Sequence, residues 1–272
     1  MAAIDYEIEY NNRARVPDNP AIIAGWVRDA AAYRGAHPSR ALRYGDGARN
    51  TIDVFKGDDT DTATVMFIHG GYWQALDASF FSHLAAGLNA HGISVALPNY
   101  DLCPAVSVAD IIEQMRAAGR VLSIANKRLV VSGHSAGGHL AACLLATDWR
   151  AIDHSLPNDF IRAGYAISGL FDLRPLVPTS INTALRMDAA SAHGASPLFW
   201  TPPAGSTFDA VVGGDESSEY FRQSRTLVAE WGAAGGATRF GTVPDANHFT
   251  AIAPLADAGS AMVLRLAALA RS

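Results

Sequence analysis

The chain has 272 residues, 49% of them hydrophobic and 17% charged, with a formal charge of −5. That length and apolar content suit one domain with a buried core, and the acidic balance offers no basic footprint for nucleic acid or an anionic membrane. No apolar stretch approaches the roughly 20 residues that span a bilayer. Two cysteines, Cys103 and Cys143, are too few for a disulfide framework and lack metal-ligand spacing.

The opening stretch, MAAIDYEIEYNN, is acidic and lacks the basic and apolar regions of a secretory signal. The expectation is a cytoplasmic protein whose cysteines stay reduced and buried. Residues 1–45 read as a covering segment, with an amphipathic helix around 20–34. TIDVF (51–55) reads as an antiparallel strand at the sheet edge. Six apolar runs follow: TVMFIH (64–69), ISVALP (93–98), RLVVSGH (128–134), AGYAISG (163–169), FDAVVGG (208–214) and ATRFGTV (237–243). Each is rich in Val, Ile, Phe and Ala and bounded by turn residues, as buried strands are. Between them lie helical patterns over roughly 79–91, 107–125, 136–147, 217–234 and 255–270, and VADIIEQMRAAGRVLSIA (108–125) shows the recurrence of apolar residues at three and four of a surface helix.

This alternation predicts an α/β fold: a mostly parallel central sheet with helices on both faces, in a single domain spanning 1–272. Residues 172–206 break the rhythm with several prolines and at most a short helix. A long irregular insertion after a strand commonly walls a ligand site.

The sequence GHSAG (133–137) is G-x-S-x-G between the strand RLVV and the helix GHLAACLLA. In that setting the glycines let a sharp turn lift Ser135 above the sheet edge, as a nucleophile requires. The pattern is not a phosphate loop, because no Lys-Ser/Thr follows the glycines, nor does it have the G-x-G-x-x-G spacing of a dinucleotide fingerprint. HGGYW (69–73) follows the first parallel strand and suits an oxyanion hole. The expected donors are the amides of Gly71, Tyr72 and Ala136. His69 reads as a structural hydrogen-bonder in that loop.

Of nine histidines, only His248 follows the last predicted strand, which makes it the candidate general base. The acid is expected after FDAVV, in GGDESSEY. Counting three residues on from Gly213 favours Glu216, with Asp215 the alternative. Glu219 reads as an acidic residue at a solvated helix start. Aromatics beside these loops, chiefly Trp73, Phe171 and Phe249 and also Tyr72, Phe199 and Trp200, are candidates for a substrate pocket. No zinc motif is present.

Taken together, HGGYW, GHSAGGHLAA, SGLFDLRPL with the downstream TSINTAL, then ESSEYFRQS and NHF, resemble the α/β-hydrolases. More narrowly, they are similar to the kynurenine formamidase (arylformamidase) family, which adjoins the hormone-sensitive-lipase-like esterases. The resemblance runs from about Tyr44 to beyond Ile252. It implies hydrolysis of N-formylkynurenine without metal or cofactor, with Ser135, Glu216 and His248 in the family's triad positions. The family's acid is usually Asp, so Glu216 is a departure.

The function expected is therefore acyl transfer through an acyl-serine on a small-molecule formamide, or on a short-chain ester if the chain is a carboxylesterase. A silent hydrolase fold that only binds ligand is the third reading, and Ser135, His248 and the glycine loop all argue against it. The exposed helices of an open sheet leave a homodimer open.

Overall fold

A computed structural model describes residues 4–59, 64–125, 128–157 and 159–272. The first three residues of the expected covering segment thus lie outside the described residues. Eight strands form one sheet: β1 (Arg40–Arg43), β2 (Thr51–Phe55), β3 (Thr64–Ile68), β4 (Val95–Pro98), β5 (Leu129–His134), β6 (Ile161–Ile167), β7 (Thr207–Gly213) and β8 (Ala237–Val243). Their order is β1-β2-β4-β3-β5-β6-β7-β8. The first two pairings, β1 with β2 and β2 with β4, are antiparallel, and all the others are parallel. TIDVF is therefore not the edge strand, because β1 covers it. RALR gives β1 no apolar alternation, since three of its four residues are exposed.

The helices are α1 (Tyr6–Tyr10), α2 (Asn12–Arg15), α3 (Asn19–Ala36), α4 (Ala86–Asn89), α5 (Val108–Ala125), α6 (Ala136–Leu145), α7 (Trp149–Ile152), α8 (Asn182–Leu185), α9 (Ala189–Gly194), α10 (Ser218–Ala233) and α11 (Ala261–Arg271). Two expected helices are divided. The 79–91 pattern opens as a 3₁₀ helix over Ala78–Ala85 before α4, and the 255–270 pattern begins with a 3₁₀ turn at Ala253–Ala256 before α11. Among the described residues no helix is long and apolar enough to cross a membrane.

The sheet separates two cores. Along β3, Met66 and Ile68 join the core under α5, α6 and α10, while Val65 and Phe67 join the core under α3 and α11. Alternate side chains enter opposite faces, so a strand covered on both sides is apolar throughout. All ten residues of α6 are buried, which fits its continuous apolar sequence. Cys103 and Cys143 are buried and free.

Candidate active site

The site lies at the carboxyl ends of the central strands, where loops of an open α/β sheet converge. Ser135 joins β5 to α6 with φ 57° and ψ −119°, a left-handed conformation that is costly for a side-chain-bearing residue. The neighbouring glycines make the turn sterically feasible. A Cβ at Gly133 would stand 2.2 Å from the Gly137 carbonyl oxygen, and one at Gly137 would stand 1.9 Å from that of Ile68. The turn is held by the Ser135 amide, which donates to the Ile167 carbonyl at 2.8 Å.

Facing this turn is the loop after β3. Gly71, Tyr72 and Trp73 have φ of 110°, 49° and 56°, so three successive residues are left-handed. Only glycine is at ease there, and at Gly71 a Cβ would also meet the Ala75 carbonyl oxygen at 2.2 Å. Among the described residues no acceptor takes the amide protons of Gly71 or Tyr72. The Ala136 amide opens α6, where a helix leaves its first N–H groups unpaired and its positive end exposed.

Side chains brace this loop from below. Tyr100 stacks on His69 at 4.2 Å, and its hydroxyl donates to the His69 carbonyl at 2.9 Å. Burial pushes the His69 imidazole down to about 4, so it stays neutral. Arg49 donates to the carbonyls of Leu76 (2.7 Å) and Tyr100 (2.6 Å), fixing the loop's far end.

Opposite Ser135, the loop after β8 carries His248. Its Nδ1 lies 2.7 Å from Glu216 Oε2, and both side chains are buried. The other carboxylate oxygen, Oε1, accepts from the Gly213 amide at 2.7 Å and from the Ser168 hydroxyl. Asp215 is exposed, and its amide bonds the Ala246 carbonyl at 3.0 Å. The structure thus brings Glu216, not Asp215, to His248.

His134, inside the G-x-S-x-G motif, donates from Nε2 to the His248 carbonyl at 2.8 Å. Burial, and then the nearby His248, hold His134 well below the ordinary imidazole range, so it serves as a neutral donor. His134 and Ser168 are thus contributors that motif reading passed over. Within the motif, only the "x" position hinted at His134.

Ser135, His134, His248, Phe249, Gly71 and Tyr72 line one cavity of about 380 Å³. Most of its remaining wall comes from the N-terminal segment: Glu7, Tyr10, Asn12, Arg13, Ile23 and Trp26. The 172–206 insertion contributes only Ile181 among the lining residues. Two of the three principal pocket aromatics lie elsewhere. Trp73 is fully buried, edge-on to His139 at 4.9 Å, because the left-handed backbone turns it into the core. Phe171 is also fully buried, packed edge-on to Phe208 at 6.0 Å. Phe199 and Trp200 lie outside the cavity, each under an arginine (Arg174 and Arg116). Phe249 alone of the three principal candidates reaches the cavity, beside Trp26.

Glu219 also departs from expectation. It is buried, paired with Arg222 at 2.7 Å and accepting from the Tyr10 hydroxyl at 2.7 Å. The N-terminal segment packs over that helix start and removes it from solvent. Among the described residues, no three His, Cys, Asp or Glu side chains gather as a metal site would require.

Chemically, the arrangement places a serine on a helix amino end, unpaired amides opposite it, and a carboxylate-oriented imidazole in the same cavity wall. Comparison with known proteins accords with this. A family profile described as "alpha/beta hydrolase fold" matches residues 65–251. Kynurenine formamidases from Danio rerio and Salmo salar are 30% and 31% identical, each aligned over 79% of this chain and over 75% and 76% of their own. A crystal structure of a provisionally assigned thioesterase from Silicibacter sp. tm1040 superposes with a TM-score of 0.83 at 35% identity, covering 96% of this chain and 98% of that one. The chain belongs to the α/β-hydrolase family and is a relative of the kynurenine formamidases.

Proposed function

We propose that the protein is a serine hydrolase that cleaves aryl-formamides of the N-formylkynurenine type. The observation that carries the reading is the His248–Glu216 bond in the wall of the cavity that holds Ser135. In the mechanism, Ser135 Oγ attacks the formyl carbon as its proton passes to His248 Nε2. Glu216 stabilises the imidazolium. The carbonyl oxygen becomes an oxyanion facing the amides of Gly71, Tyr72 and Ala136. Losing one such donor typically costs about 10²–10³ in rate. The C–N bond then breaks, and His248 returns its proton to the aryl amine. Water, deprotonated by His248, attacks formyl-Ser135; the Oγ–C bond breaks, His248 returns the proton to Oγ, and formic acid leaves and ionises to formate.

The cavity's chemistry supports the substrate class. Ile23, Trp26, Leu76 and Phe249 offer apolar wall for an aryl ring, while Glu7 and Arg13 bring opposite charges to the same lining. Bonds from the Ser180 hydroxyl and amide hold the Glu7 carboxyl below its usual range, which keeps it anionic. A ligand with an aromatic body and a zwitterionic tail suits that combination. The relatives that share 30–31% identity are kynurenine formamidases.

An ester substrate is the second reading, favoured by the 35% identical thioesterase-assigned structure, since the same machinery transfers acyl groups from esters. A cytoplasmic setting is part of the proposal and rests on the two free, buried cysteines. The test is kcat/KM on N-formylkynurenine against p-nitrophenyl acetate and butyrate, with Ser135→Ala alongside. Formamide turnover far above ester turnover, abolished in S135A, is the expected result. Rapid ester cleavage with negligible formamide turnover would leave an esterase on this scaffold.

A further inference from the structure

Three aromatic and amide side chains from distant parts of the chain meet beside the site. Tyr72 belongs to the oxyanion loop, Tyr220 to α10 and Asn12 to α2. The Tyr72 hydroxyl donates its only proton to the Tyr10 carbonyl at 2.7 Å. Its oxygen must therefore accept from Tyr220, whose hydroxyl lies 2.8 Å away. Asn12 Nδ2 supplies the remaining protons, to Tyr220 at 2.7 Å and to Tyr72 at 3.2 Å. Every hydroxyl proton in the cluster has one destination, so the network has a single direction. Asn12 is only 6% exposed and both phenols are desolvated enough to stay un-ionised.

The cluster touches the chemistry at two points. Tyr72 carries one of the unpaired amides in a left-handed conformation that the surroundings must hold. The Tyr220 ring packs on the His248 ring at 4.7 Å. Asn12 in turn is anchored, because the N-terminal segment is clamped along α10. Glu9 accepts from the Ser218 hydroxyl at 2.8 Å and the Glu219 amide at 3.0 Å, capping a helix whose own N-cap, Ser217, makes no such bond. The Tyr10 hydroxyl bridges Glu219 and Gln223.

We propose that Asn12 is a positioning residue that sets the oxyanion loop and the His248 ring in register through the hydroxyls of Tyr72 and Tyr220. The N-terminal segment thereby completes the active site. This inference rests on the serine-hydrolase reading above. It assigns Asn12 no contact with reacting atoms.

The experiment measures kcat and KM separately on p-nitrophenyl acetate and N-formylkynurenine for Asn12→Ala, Tyr72→Phe and the double variant, beside wild type and Ser135→Ala. Misplacing a catalytic group by about an ångström can cost on the order of 10²-fold. The expected result is a fall in kcat of about 10- to 100-fold in each single variant, with KM changed less than about threefold. The double variant is expected to be no worse than the weaker single, because both cut one network. Unchanged kcat, a rise in KM alone, or multiplying effects in the double variant would overturn the role. If Asn12→Ala does not fold, Tyr72→Phe and Tyr220→Phe decide together, since they keep both rings and remove only the two hydroxyls through which Asn12 acts. Activity surviving in Ser135→Ala would instead overturn the site reading itself, and this inference with it.

Discussion

Replacing Glu216 by Gln changes one atom and removes one charge, and the structure says which way the new amide must point. Glu216 Oε1 accepts from the Gly213 backbone amide and the Ser168 hydroxyl. The hydroxyl can turn, but the Gly213 N–H cannot. The glutamine oxygen must therefore take the Oε1 position, or two donors collide. That leaves the NH₂ at the Oε2 position, 2.7 Å from His248 Nδ1. Nδ1 must then accept, so the imidazole proton moves to Nε2, the nitrogen that should receive the proton of Ser135. Enforcing the wrong tautomer in a serine triad costs about 10⁴ in kcat, equivalent to about 5 kcal/mol of barrier. Glu216→Gln is thus expected to lower kcat on p-nitrophenyl acetate by about 10³–10⁴ with folding preserved, since the shape is unchanged. Asp215→Asn, at an exposed side chain, is expected to stay within about twofold of wild type, as surface changes usually do. Steady-state kinetics with thermal melts on both variants check this. A Glu216→Gln enzyme within tenfold of wild type, or a damaging Asp215→Asn, would refute the assignment.

Gly137→Ala places a Cβ 1.9 Å from the Ile68 carbonyl oxygen, a backbone atom that cannot swing aside. A loss of at least about 3 kcal/mol in urea unfolding is expected, or failure to fold; a near-wild-type melt contradicts the packing argument. For pH, the fully buried His69 and His139 are pushed down to about 4 by burial, and His134 lies well below its ordinary value. The unfolded chain takes up these protons below about pH 6.5 while the native protein does not, so stability rises with pH across roughly 4 to 6.5. Each group contributes up to about 1.4 kcal/mol per pH unit there. Urea midpoints should therefore fall from pH 7 to pH 5, and a flat or rising profile would show that these imidazoles are protonated in the native state. Arg13→Gln should raise KM for N-formylkynurenine about three- to tenfold, modest because the side chain is exposed. It should leave p-nitrophenyl acetate, which has no carboxylate, unaffected; equal effects on both substrates would remove Arg13 from recognition of the tail.

What could be read from the chain were the features dictated by neighbours in sequence. The Ser135 turn was legible because its steric demands fall on Gly133 and Gly137, two residues away on each side. The placement of Glu216 beside His248 was legible from its spacing because the same Gly213 that ends β7 donates to its carboxylate. The central parallel strands were legible because burial on both faces leaves them largely apolar, whereas ATRFGTV, which reads as a buried strand too, is the edge strand β8 and has no buried residue. Trp73 was misplaced for the converse reason. Adjacency to the loop proposed as the oxyanion hole gives proximity, but the direction of a side chain depends on φ, and the left-handed values at Tyr72 and Trp73 turn the indole inward.

The N-terminal segment marks where such reading stops, and why. Its contribution is made of single polar contacts to partners far along the chain: Asn12 to Tyr220 across 208 positions, Tyr10 to Glu219 across 209, Glu7 to Ser180 across 173. None produces a periodicity or a spacing, because each is set by the fold and not by the local backbone. Glu219 looked like a solvated helix start for the same reason: nothing within α10 reveals that Glu9 and Tyr10 will cover it. Yet a buried carboxylate next to an uncapped helix end is costly until it is partnered. The bonds from Tyr10 and Arg222 to Glu219, and from its amide to Glu9, are what make that burial tolerable. The helix that holds Tyr220 against His248 is thus bonded to the same segment that brings Asn12 to Tyr72, so the cavity wall and the proposed catalytic geometry share one set of contacts.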